Sequence, residues 1–166
     1  LGVLADDLIT RGTSEPYRMF TSRAEYRLLL REDNADLRLT PMGRKLGLVE
    51  DARWALFEAK REAIEKEQAR LESTILRPKD IEAADAERVF GRPLSREYRL
   101  SELLRRPDVS YESLMTLRAS GRGLDAPAAV EQIAIQAKYA GYIDRQREEI
   151  ERARHHEDTP LPEGMD

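Results

Sequence analysis

The chain has 166 residues, 40% of them hydrophobic and 36% charged, which suits a helical, well-solvated protein of one domain, or one domain plus a leading fragment. The absence of cysteine excludes disulfides and thiolate metal sites, and no apolar run reaches the roughly twenty residues of a membrane span. Its 28 basic and 32 acidic residues leave a net charge of −4, a balance that names no partner by itself.

Gly2 to Thr10 carries Val3, Leu4, Leu8 and Ile9 around Asp6 and Asp7, a pattern that is neither alternation nor a helical stripe. The two adjacent acids are expected to pair with nearby arginines rather than to serve acid–base or metal chemistry. Arg11-Gly12-Thr13 breaks the segment. From Arg11 to Arg31 five arginines face two glutamates, a local charge of +3 on an acidic chain. Arg18, Arg23, Arg27 and Arg31 recur every four or five residues, with Tyr17, Phe20 and Tyr26 between them. Guanidinium groups bind phosphate through two hydrogen bonds and aromatic rings offer stacking faces, so the pattern suits a polyanion. The same arginines could instead pair with carboxylates at a domain junction. Tyr26 to Leu30 reads as a short strand or one helical turn.

Asn34 to Leu48 reads as a helix with Leu37, Leu39, Met42, Leu46 and Leu48 facing inward, Thr40-Pro41 as a possible start and Gly47 as a stop. The clearest element is Asp51 to Ile75, where Trp54, Phe57, Ile64, Leu71 and Ile75 make one narrow apolar seam. Glu62–Lys66, Glu58–Arg61 and Glu67–Arg70 add helical ion pairs. Asp80 to Phe90 is a short helix closed by Gly91. Ser101 is expected to cap a brief helix ending before Pro107, and Ser110 another running to Arg118. This pair resembles a helix-turn-helix, but its second helix offers only Arg118 to a nucleic acid, so bundle packing is expected.

Gly121, Gly123 and Ala126 fit the spacing of a dinucleotide fingerprint, yet a helix-like segment precedes them where the motif needs a strand. A flexible loop explains these glycines. Pro127 to Arg154 is the last helix. Its first half is apolar nearly all round, with Ile133 and Ala137 in the core; Lys138, Tyr142 and Arg145 form a polar stripe proposed as a functional surface. His155-His156 invites a metal reading, but neighbouring helical side chains diverge by about 100°, and a solvated helix end fits better. No nucleophile beside a base, metal cluster or phosphate loop is apparent, so no catalytic, cofactor or metal residue is assigned.

GVLADDLITRGTSEPYRMFTSRAEYRLLLREDNADLRLT strongly resembles the MnmG (GidA) family of flavoproteins that modify tRNA uridines. The later blocks RLSELLRRPDVSYESL and QAKYAGYIDRQREEIE resemble it too, in the family's order. Departures are small: Ala5 stands where a branched aliphatic is usual and Ala140 where a glutamate is usual. With a first residue other than methionine and the abrupt LGVLADDL, the resemblance implies a piece of a longer chain. It would comprise the tail of a flavin-domain region (1–40, irregular or two-stranded), a mainly α, bundle-like domain (41–154) and an acidic tail or linker (155–166).

The resemblance further implies a cytoplasmic, homodimeric parent that uses FAD, NADH and a folate one-carbon donor, with the GTPase MnmE, to modify the wobble uridine of certain tRNAs. The flavin and NADH motifs would lie upstream, and neither a membrane nor DNA is implied. Arg18, Arg23, Arg27, Arg31 and Tyr26, with Lys138, Tyr142 and Arg145, are the candidate tRNA contacts. A free-standing tRNA-binding module and a pure protein-interaction scaffold are the competing readings.

Overall fold

A computed structural model describes residues 2–18, 20 and 26–157. Gly2–Thr10 forms helix α1, which has no buried residue, so the opening segment begins as a helix rather than as an irregular or two-stranded stretch. Arg27–Leu29 is one 3-10 turn, the second of the two forms open to it.

Helix α2, Ala35–Lys45, starts before Pro41 and carries it inside, which overturns Thr40-Pro41 as a start. One local and one tertiary bond hold its first turn in place of a proline signal: Arg38 Nε donates to Asn34 Oδ1 one turn back at 2.8 Å, and Lys60 Nζ of the following helix donates to Asp36 Oδ2 at 2.7 Å. Gly47 stops the segment as expected, at φ +72, a conformation that favours glycine. The inward stripe is a second correction. Leu37 packs on the core, but Leu39, Met42, Leu46 and Leu48 are 56–77% exposed.

Helix α3, Asp51–Ser73, buries Phe57, Ile64, Glu67 and Leu71 along one seam. Trp54 is half-buried, its ring 5.3 Å from that of Phe57. The helix ends before Ile75, because Ile75–Leu76 (β1) pairs antiparallel with Tyr98–Arg99 (β2). Ile75 therefore leaves the helical seam and is 44% exposed, while Leu76 is fully buried. Between the strands, α4 (Ala83–Phe90) is amphipathic and ends at Gly91, φ +65.

Helix α5, Leu100–Leu104, begins directly from β2. Its cap is Arg99, not Ser101: the Leu100 N–H is already committed to Thr74 O at 3.0 Å, and Glu102 accepts from Arg99 N at 3.3 Å. Helix α6, Tyr111–Met115, is capped by Ser110 as expected. It is shorter than the sequence suggests, giving way to a 3-10 turn at Arg118–Ser120. Helix α7, Pro127–Glu157, is 31 residues long, about 46 Å at the helical rise.

The core lies where α3, α5, α6 and α7 converge. Leu76, Leu100, Leu103, Leu104, Leu114 and Ile133 are among its largest fully enclosed side chains. Ala137 packs against it from α7. Among the described residues no helix is long and apolar enough to cross a membrane.

Candidate functional site

The candidate residues divide by what their polar groups already do. Arg31 closes a clasp between the 3-10 turn and α7. Its Nε and Nη2 donate to the two Asp33 oxygens at 2.7 and 2.8 Å, and Nη1 donates to Leu28 O at 2.8 Å. Its guanidinium lies 4.6 Å from the centre of the Tyr139 ring, and Gln132 of α7 donates to Asp33 Oδ2 at 3.1 Å. The Arg31 hydrogen bond holds the Asp33 carboxyl below its ordinary value against the opposing effect of burial. With 13% of its side chain exposed and its fork filled, Arg31 has little left to offer a phosphate. It is an anchor, and its partner is Asp33.

Lys138 shares one side of α7 with Tyr142 and Arg145, as the spacing requires, but its ammonium is taken. Nζ donates to the carbonyls of Arg106 and Val109, the second at 2.7 Å, tying α7 to the turn between α5 and α6. Burial pushes its pKa down, with Asp108 opposing. Tyr142 and Arg145 stand beyond it in solvent, the guanidinium 5.1 Å from the tyrosine ring centre; Arg145 Nε donates to Gly141 O at 3.2 Å.

Arg18 is exposed and its guanidinium lies 5.4 Å from the Phe20 ring centre. Arg27 is exposed and Tyr26 half-buried. Arg23 lies outside the described residues. Asp7, expected to pair with an arginine, accepts from Tyr17 Oη at 2.8 Å, which raises the phenol's pKa.

Two groups carry no motif in the sequence. Glu67, which the spacing presents as one end of a helical ion pair, is 6% exposed. It receives Arg70 Nε and Nη2 at 2.8 and 2.6 Å and Tyr111 Oη at 2.6 Å. The second group surrounds Tyr98, with the Arg96 and Arg106 guanidiniums 4.4 and 4.6 Å from its ring centre. A charge signal does mark this second group. From Arg88 to Arg106 six arginines face two glutamates, +4 in nineteen residues, a higher local charge than in the Arg11–Arg31 segment.

The loop at Gly121 and Gly123 does not suit a dinucleotide. A 3-10 turn precedes it, and a Cβ on Gly123 would sit 2.7 Å from Met115 Cγ and 3.2 Å from Tyr111 Oη. That glycine makes room for side chains of its own fold, not for a pyrophosphate. Among the described residues no three metal-ligating side chains cluster.

The family model of the tRNA modifying enzyme MnmG/GidA C-terminal helical domain matches residues 51–147. The chain belongs to the MnmG/GidA family. Aquifex aeolicus GidA in its form II crystal superposes with a TM-score of 0.73 and 35% identity over 99% of this chain. The form I crystal gives 0.70 and 33% over 99%. The chain spans about a quarter of the length of those structures, 25% and 24%. The match to the MnmG/GidA helical domain starts at the first residue of α3 and ends within α7, so it encloses the core, the Glu67 network and the Tyr98 cluster. The Arg11–Arg31 segment and α2 precede it but fall within the superposed length.

Proposed function

We propose that this chain is the helical part of a tRNA wobble-uridine-modifying flavoenzyme, where it grips tRNA and docks the GTPase partner MnmE. The observation that carries the reading is the 35% identity and common fold with GidA over 99% of the chain. Exposed guanidiniums beside aromatic rings, Arg18 with Phe20 and Arg145 with Tyr142, support the RNA part, since such pairs suit phosphate and base stacking together. On this reading FAD and NADH are held by the rest of a longer, cytoplasmic and homodimeric polypeptide. There they supply the redox chemistry, with a folate as one-carbon donor. The chain's own share is binding and orientation rather than catalysis.

The test compares the purified full-length parent with a version truncated before Asp51. Both should show flavin absorbance; the truncated protein, which keeps Arg18 and Arg27, should lose the GTPase partner and bind tRNA more weakly than the full-length one. A truncated parent that binds both as tightly as the full-length one would overturn the reading. A pure interaction scaffold would instead lose partner binding on truncation and keep its tRNA affinity unchanged.

A further inference from the structure

Three surfaces stand outside the function as stated. The exposed leucines of α2 are apolar and the groove of about 400 Å³ between α3, α5 and α7 is of mixed lining, with Gln68, Glu72 and Arg105 beside Leu71 and Ile133; nothing in the fold shows what covers either. The third surface, the arginine–aromatic cluster where β2 meets the α5–α6 turn, carries its chemistry on its face.

Arg96 and Arg106 both lie against Tyr98, and Arg106 is also 5.9 Å from the Phe90 ring centre. A guanidinium stacked on a ring keeps its N–H edge free and loses little further freedom when that edge is bonded. Among the described residues neither arginine has a carboxylate within ion-pair distance, whereas Arg77, Arg88 and Arg99 nearby are paired with Glu97, Asp85 and Glu72. The Tyr98 phenol reports the local field. Hydrogen bonds from Ser95 and Arg96 pull its pKa below the ordinary value, and the charges of Arg96 and Arg106 act in the same direction. The backbone beneath is fixed: Arg106 O accepts from Lys138 Nζ and from Val109 N, and Arg106 N donates to Leu103 O. Two guanidiniums without a carboxylate partner, one of them on a fixed backbone, suit an anion with several oxygen acceptors.

We infer that Arg96, Tyr98 and Arg106 form a phosphate-binding site for the sugar–phosphate backbone of tRNA, separate from the arginines of the opening segment. Tyr98 orients the two guanidiniums, and the arginines bond the phosphate oxygens. The inference rests on the tRNA-gripping function proposed above and assigns it a place in the fold. The alternative occupant is an acidic protein surface. A backbone phosphate is favoured because the site holds two forked cations against one aromatic ring, the arrangement that suits phosphate oxygens.

The experiment measures the affinity of the full-length parent for its tRNA across a series of salt concentrations. Wild type is compared with Arg96→Ala, Arg106→Ala, Tyr98→Phe and Arg27→Ala. Removing either arginine of the cluster should reduce the log–log salt slope by about 0.7–0.9 and weaken binding roughly three- to tenfold at about 0.1 M salt, alike for different tRNA sequences. Tyr98→Phe keeps the ring and should bind as wild type. Arg96 is exposed, so Arg96→Glu should fold normally; it decides the matter if Arg106→Ala lowers the melting temperature. Unchanged slopes in the Arg96 and Arg106 variants, with a reduced slope in Arg27→Ala, would overturn this site and leave the tRNA function standing. Wild-type parent with no salt-dependent tRNA binding would overturn both. Weakened association with the GTPase partner at unchanged tRNA affinity would make the cluster a protein dock and refute the inference.

Discussion

Glu67 brings a carboxylate into the interior, where Arg70 fills both its oxygens and Tyr111 donates from α6. The Tyr111 hydroxyl accepts in turn from Leu124 N at 2.7 Å, and Arg70 Nη1 reaches Ser120 O at 2.5 Å. One buried anion thus holds α3, α6 and the glycine loop together. Tyr111→Phe leaves the Leu124 N–H without its acceptor and the carboxylate short of a donor, and should lower unfolding free energy by about 1–3 kcal/mol. Glu67→Ala strands Arg70, which is only partly solvated, and should cost more, about 3 kcal/mol; urea unfolding of both variants checks the order. Burial first, and then the Glu67 hydrogen bond, raise the Tyr111 pKa above 10.0. The corresponding stability is complete below pH 10 and is lost as pH rises through the higher folded value. Asp33 behaves oppositely. Arg31 lowers its pKa from 3.8, so its contribution is complete above that value and disappears as pH falls through the lower folded value. The loss of stability as pH falls below 3.8 should therefore be steeper for wild type than for Asp33→Asn, which lacks the titrating group. The Glu67–Arg70 spacing was legible in the sequence as a pair. Its burial was not, because Tyr111 lies 44 positions away and no periodicity connects them.

At the scale of elements, α3 and α7 were readable because each is long enough for repeated apolar positions to outweigh local exceptions. Helix α2 was readable as a helix but not in its orientation. An apolar stripe implies a partner without saying where the partner is, and here only Leu37 of that stripe reaches the core. The two-residue ladder of β1 and β2 carries no pattern at all. Yet it ends α3 at Ser73 and starts α5 at Leu100 through the Thr74–Leu100 bond, and both boundaries were misplaced for want of it. Burial separates two sets of leucines that look alike in sequence. Leu103 is fully enclosed, so Leu103→Ala should cost about 2–5 kcal/mol through reduced transfer energy and a residual cavity. Leu39→Gln, Met42→Gln and Leu46→Gln should each stay within about 0.5 kcal/mol. Thermal melts of the four variants test the division, and a large loss of stability from any α2 variant would mean that its side chain is enclosed in solution.

For the molecule as a whole the decisive fact is how unevenly charge is committed. The net −4 of these 166 residues opposes RNA at long range, so whatever affinity they contribute to tRNA must come from cations whose N–H edges remain free. The opening segment divides on this criterion. Arg31 is engaged by Asp33, Leu28 O and the Tyr139 ring, while Arg18 and Arg27 are exposed. Alanine at Arg18 or Arg27 in the full-length parent should therefore leave the melting temperature unchanged and reduce the salt slope of tRNA binding by about 0.7–0.9 each. Tyr26→Ala should weaken binding without altering the slope, since stacking releases no counterions. Arg31→Ala should do the reverse of Arg27→Ala. It breaks a largely enclosed charged clasp between the 3-10 turn and α7, so it should lower the melting temperature while the slope stays at the wild-type value. Measuring melting temperature and salt dependence together on these four variants separates anchor from contact. An Arg31→Ala protein with unchanged stability and a reduced slope would mean that the clasp opens to admit phosphate, and the division drawn from its geometry would fail.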